Sequence, residues 1–130
     1  MRTASCSCGQ LSLTTAADPV RVSICHCLAC QRRTGSVFGA QARFPRDAVT
    51  IHGAATQYVR TGDSGGRATF HFCPECGATV YYLIAGREDT VAVPAEFEDF
   101  VGDDHSGGER GGAGAEALAE RDVIGDLQLD

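Results

Sequence analysis

The chain has 130 residues, 43% of them hydrophobic and 22% charged, which sizes it for one soluble domain. It contains no run near the ~20 apolar residues of a membrane span. Met1-Arg2-Thr3-Ala4-Ser5-Cys6 lacks a secretory apolar stretch, so a cytoplasmic location and no membrane partner are expected. The net charge is −6 and every basic residue is Arg; residues 1–101 balance nine Arg against nine acids, and residues 102–130 set two Arg against eight. Neither part offers the basic face that phosphate-backbone binding needs, which excludes nucleic acid as the expected partner.

Along the chain, Cys6-Ser7-Cys8-Gly9 comes first, followed by Gln10 to Thr15, whose alternation predicts a strand with Leu11 and Leu13 on one face. Val20 to Ile24 alternates likewise and leads into Cys25-His26-Cys27-Leu28-Ala29-Cys30. Gln31-Arg32-Arg33-Thr34 is helix-compatible and Gly35 would stop it, so a short helical turn from about Cys27 to Thr34 is expected. Val37 to Phe44 reads as a strand ended by Pro45. Further strands are expected at Val49 to His52, Thr56 to Thr61, Ala68 to Phe72, Thr79 to Ile84 and Thr90 to Val93. Strands this short, punctuated by Gly, Pro and Asp, predict a mainly β, antiparallel domain.

Thr61-Gly62-Asp63-Ser64-Gly65-Gly66-Arg67 lacks the Gly-Lys-Ser/Thr ending of a phosphate loop and reads as a hairpin connection. Tyr81 and Tyr82 must face opposite sides of their strand, so one is expected in the core and the other exposed. His52 and His105 read as solvated. From Gly102 to Ala117 there are six Gly and no large apolar residue, which predicts a flexible tail. Ala115 to Asp122 could form a helical turn or two, and Val123, Ile124, Leu127 and Leu129 could dock weakly.

The seven cysteines fall into three groups: Cys6/Cys8, Cys25/Cys27/Cys30 and Cys73/Cys76. An odd count without a secretory signal points to metal or chemistry rather than disulfides. Cys73-Pro74-Glu75-Cys76-Gly77 resembles a zinc knuckle, with Gly77 free to take the positive φ that turns backbone N–H groups toward sulfur. One knuckle supplies two ligands, and Cys6 and Cys8 are the natural complement, closing a long loop. The triplet keeps three sulfurs, and three protein ligands with an open position distinguish catalytic from structural zinc. A closed alternative would take a His: His26 is strained between two ligands, and His71 precedes the knuckle. Spacing leaves open a partition in which the triplet shares one ion with a cysteine from either pair.

Taken together, Cys6-Ser7-Cys8-Gly9, Cys25-His26-Cys27-Leu28-Ala29-Cys30-Gln31-Arg32-Arg33-Thr34-Gly35-Ser36 and Phe72-Cys73-Pro74-Glu75-Cys76-Gly77 resemble the glutathione-dependent formaldehyde-activating enzyme and centromere protein V family, over about residues 4–97. The resemblance implies a β-tent (Mss-like) fold of small antiparallel sheets leaning together around zinc. It places a domain at 4–97, with Val91-Ala92-Val93-Pro94 as its last core strand, and leaves 98–130 as a divergent Gly-rich acidic tail. It also implies two zinc ions, a structural one on Cys6, Cys8, Cys73 and Cys76 and a catalytic one on Cys25, Cys27 and Cys30.

The activity so implied is a carbon–sulfur lyase that adds a thiol such as glutathione to formaldehyde. Arg32 and Arg33 would contact substrate carboxylates, and Gln31, Thr34 and Ser36 are further polar candidates. The alternatives are a non-catalytic zinc module that binds a protein and a thiol redox or zinc-buffering protein.

Overall fold

The computed structural model describes residues 1–62 and 64–94. The tail beyond Pro94, with His105 and the helical and docking segments expected there, lies outside the described residues, as does Asp63. The described elements are β1 (Arg2–Ser5), β2 (Ser12–Thr15), β3 (Arg21–Cys25), α1 (Leu28–Thr34), β4 (Gly39–Pro45), β5 (Val49–His52), β6 (Thr56–Thr61), β7 (Arg67–Phe72), β8 (Thr79–Ile84) and β9 (Thr90–Pro94). No helix among the described residues is long and apolar enough to cross a membrane.

The strands form two antiparallel sheets, one ordered β1-β2-β5 and the other β3-β4-β9-β8-β7-β6. The fold is thus mainly β, as the sequence predicts. Leu13 of the small sheet and Leu11, just before β2 (which begins at Ser12, not at Gln10 as expected), pack with Val22, Ala42, Phe44, Val80, Tyr81, Val91 and Val93 of the large one. Leu11 is fully buried, which contributes roughly 2 kcal/mol of transfer free energy.

The side-chain period of two then sends the alternate residues of the large sheet to its other face. There Ala68, Phe70, Tyr82 and Ala92 make a second cluster, with Ile84 against it. Phe70 and Tyr82 are cross-strand partners with ring centroids 4.7 Å apart. This corrects one expectation. Tyr81 and Tyr82 do face opposite sides, but both are buried, at 8% and 6% exposure. The reason is that the large sheet is covered on both faces, not on one.

The second face carries the chemistry. Arg21, Ser23 and Cys25 of β3 stand opposite Arg43, Gln41 and Gly39 of β4, and α1 packs over β4. Gly39 is the seat for that helix: a Cβ there would lie 3.1 Å from Arg33 Nη2 and 3.6 Å from Cys30 Cβ.

Candidate active site

Two loops of similar design bring the first cysteine group together. Cys6 N donates to Leu11 O at 2.9 Å and Gly9 N to Cys6 O at 3.1 Å; Cys73 N donates to Ala78 O at 3.0 Å and Gly77 N to Cys73 O at 2.8 Å. Gly9 and Gly77 both take positive φ, 86° and 81°, which closes each turn without a Cβ clash. Backbone N–H groups reach sulfur around both turns: Leu11 N lies 3.3 Å from Cys6 Sγ and Glu75 N 3.3 Å from Cys73 Sγ, and the Ala78 N–H just after Gly77 donates to Cys76.

The ligand atoms of Cys6, Cys8, Cys73 and Cys76 all lie within 4.8 Å of one another. Cys6 Sγ and Cys8 Sγ are 3.7 Å apart, and Cys8 Sγ and Cys73 Sγ are also 3.7 Å apart. A tetrahedral ion bound at about 2.3 Å by four thiolates requires sulfur separations of about 3.8 Å, so these residues fit zinc. Desolvation pushes the Cys73 thiol up, but the backbone N–H of Cys76, the Gln10 amide and the Glu75 N–H outweigh it and bring it down to about 6. The Gln10 N–H pulls the Cys8 thiol down, but desolvation and the neighbouring thiols of Cys6, Cys73 and Cys76 carry it up to about 11.

Gln10 was not singled out in the sequence, where it is one polar residue after a glycine. Its Nε2 donates to Cys73 Sγ at 3.0 Å and to Ala54 O at 2.7 Å, while its Oε1 accepts from Ala54 N at 3.0 Å. It therefore fastens the loop before β6 to the cysteine group, and Gly53 makes the approach possible. A Cβ on Gly53 would sit 1.8 Å from Gln10 O, and its φ is 98°.

The second group is built at the end of β3 and the start of α1. Cys25, Cys27 and Cys30 are all buried, with ligand atoms within 4.8 Å of one another. Cys27 caps the helix, its Sγ accepting from Cys30 N at 3.3 Å. Gly35 ends it in the left-handed conformation, φ 70°, with its N–H on Gln31 O at 2.8 Å. The Cys25 thiol holds Cys30 down to about 5, assisted by the Cys27 thiol and Arg33 and opposed by burial. The same contact with Cys30, together with burial, pushes Cys25 up. Three thiols contending for one charge are a donor set suited to a cation, and three sulfurs leave one tetrahedral position.

The other sequence candidates separate. His26 is exposed, tilted against Phe38 at 6.1 Å. His71 is buried and stacked on Tyr81 at 4.3 Å, where burial lowers its pKa, assisted by Arg46. Neither joins a cysteine group among the described residues. Gln31 Nε2 donates to His26 O at 2.9 Å and Thr34 Oγ1 to Cys30 O at 2.9 Å, so both fasten the triplet loop. Ser36 is exposed, its N–H on Thr34 Oγ1 at 3.1 Å, and His52 is exposed as expected.

Arg32 is exposed and Arg33 half-buried. The Arg33 guanidinium lies 5.6 Å from the centroids of both Phe70 and Tyr82, and Arg60 lies 5.5 Å from that of Phe70. Two spaces flank this arrangement. A groove of about 600 Å³ is lined by Ala29, Arg32, Arg33, Tyr58, Arg60, Phe70, Phe72, Gly77 and Thr79. A smaller cavity, about 80 Å³, is lined by Cys25 and Cys30 together with Gln41, Arg43, Arg60, Arg67 and their neighbours. Arg60 and Phe70 border both. The sequence reading missed Gln41, Arg43, Arg60 and Arg67, which converge from three strands with no local motif.

The family model described as glutathione-dependent formaldehyde-activating enzyme matches residues 1–104. No curated protein matches the chain. Among solved structures, a Rhodobacter sphaeroides protein determined as a structural-genomics target is similar, with TM-score 0.54 and 21% identity over 71% of this chain and 83% of that one. At that identity the likeness shows the fold alone.

Proposed function

Because the chain belongs to the glutathione-dependent formaldehyde-activating enzyme family, we propose that it is a zinc-dependent carbon–sulfur lyase acting at Cys25, Cys27 and Cys30. It joins a thiol such as glutathione to a small aldehyde. The observation that carries this reading is the buried three-sulfur group bordering a cavity and adjoining an arginine-lined groove.

Cys25, Cys27 and Cys30 would hold the catalytic zinc, and Cys6, Cys8, Cys73 and Cys76 a structural one. When bound at the triplet, zinc supplies a charge that keeps a substrate thiol in its nucleophilic thiolate form at neutral pH. The protein's own residues supply the rest. Arg32 and Arg33 present guanidinium groups to the groove, where they pair with the carboxylates of a peptide thiol. Phe70 and Tyr82 fix Arg33 by stacking, so its charge is set in place before substrate arrives. The buried floor of Phe70, Ala68 and Tyr82 keeps water from the reacting carbon.

The test is hemithioacetal formation from glutathione and formaldehyde, followed by exchange spectroscopy at low enzyme concentration. Acceleration by the parent protein that is lost in Cys30→Ser, with Cys6/Cys8/Cys73/Cys76 still metal-loaded, is the expected result. Equal rates for the parent and Cys30→Ser would overturn the reading.

A further inference from the structure

Among the described residues, the small cavity is lined by several guanidinium groups beside the cysteine triplet. Arg43, Arg60 and Arg67 all border it, next to Cys25 and Cys30. The Nε of Arg60, which lines the cavity, is buried without a hydrogen-bond acceptor among the described residues. An uncharged one-carbon aldehyde offers that N–H no anionic acceptor.

Gln41 adds an independent observation. It is 5% exposed, and its Nε2 is committed to Ser23 Oγ at 2.8 Å, yet its Oε1 has no partner among the described residues. A buried amide oxygen left without a donor costs about 1–3 kcal/mol. Gln41 lines the cavity, so a hydroxyl formed there can donate to it. The cavity thus offers guanidinium donors for an anion and an acceptor for a nascent alcohol. At about 80 Å³ it is much the smaller of the two spaces, suited to a small electrophile. The wider groove of about 600 Å³ suits the peptide thiol.

We infer that the cavity is a carboxylate subsite, and that the electrophile of this enzyme is a small aldehyde bearing a carboxylate beside its carbonyl, a 2-oxo acid. This inference rests on the thiol-addition reading of the triplet and names its second substrate. The step balances without any redox partner. The thiol sulfur forms a bond to the carbonyl carbon, the C=O π pair moves to oxygen, and the proton lost by the thiol ends on that oxygen. The product is a hemithioacetal that keeps its carboxylate, held by Arg43, Arg60 and Arg67, with its new hydroxyl donating to Gln41 Oε1.

A carboxylate in the cavity could instead belong to the thiol, so the experiment crosses two thiols with two aldehydes. Glutathione or 2-mercaptoethanol is combined with glyoxylate or formaldehyde, and enzyme-catalysed exchange is measured on metal-loaded protein. In parallel, unreactive glycolate is titrated into the same protein by calorimetry. The expected result is a preference for glyoxylate with both thiols, by roughly tenfold or more. That preference falls by a similar factor in Arg67→Gln, an exposed position at the start of β7, and in Arg60→Gln. A preference that depends on glutathione and ignores the aldehyde's carboxylate overturns the inference, as does turnover of formaldehyde alone, which leaves the thiol-addition reading intact. If no pair is accelerated, that reading fails and glycolate decides: binding weakened in both variants supports the subsite, and no binding overturns it.

Discussion

Cys8 Sγ and Cys73 Sγ lie 3.7 Å apart although 65 positions separate them in the chain. Bridged by one ion, they make the cysteine group a cross-link around most of the domain, tying the small sheet's first loop to the knuckle between β7 and β8. In the chain-entropy account a closed loop of that length is worth about 4 kcal/mol. Metal removal by a strong chelator, or Cys73→Ser, is therefore expected to lower the calorimetric unfolding midpoint by about 15 °C or more. An unchanged midpoint would show that the four sulfurs do not staple the fold.

Gln10 supports that cross-link from outside. In Gln10→Ala the Cys73 sulfur loses its amide donor and the Ala54 backbone loses both its partners. Hydrogen bonds to charged groups contribute about 1.5–3 kcal/mol, and second-layer contacts of this kind alter metal affinity by about 10–100-fold. Faster zinc transfer to a chromophoric chelator is expected from the Cys6/Cys8/Cys73/Cys76 group, with the rate from the triplet unaltered.

Gly53→Ala is expected to be more damaging than its size suggests. The new Cβ would meet Gln10 O at 1.8 Å, and the backbone there has φ 98°. Strain of about 1–3 kcal/mol comes from the dihedral alone, before any displacement of the Gln10–Ala54 pairing. Urea unfolding should show a lower midpoint with an unchanged slope.

Gly39→Val tests the seat of α1. The substitution places a branched side chain against Arg33 Nη2 and Cys30 Cβ, at a Cβ distance of 3.1 Å from the former. Overpacking of this kind costs about 1–3 kcal/mol. Metal at the triplet should be weakened while the other cysteine group keeps its ion, as read by stepwise chelator titration. Equal loss at both would place the damage in the fold as a whole.

Sequence alone conveyed most of the strand framework, because Gly, Pro or Asp punctuates the chain between most strands. The predicted bounds of β5, β6 and β8 are the observed ones, and the end of α1 at Thr34 was written in its stop residue Gly35. β1 escaped notice because Arg2-Thr3-Ala4-Ser5 offers only Ala4 to the core. The burial of both Tyr81 and Tyr82 was hidden for a different reason: coverage of a sheet's second face is a tertiary fact with no local period. The three cysteine clusters were legible because ligand spacing within each is local; the union of Cys6/Cys8 with Cys73/Cys76 across the chain followed from the count of ligands an ion needs and from the family resemblance. Gln10, Gln41, Arg43, Arg60 and Arg67 were not, since each is defined by a partner on another strand or loop.

The most direct test of the account is the zinc content per chain, by native mass spectrometry on full-length protein purified without chelator. Two zinc ions are expected in the parent, with one retained in Cys25→Ser. A single ion in the parent, unaffected by Cys25→Ser, would leave the triplet without metal and contradict the proposed active site.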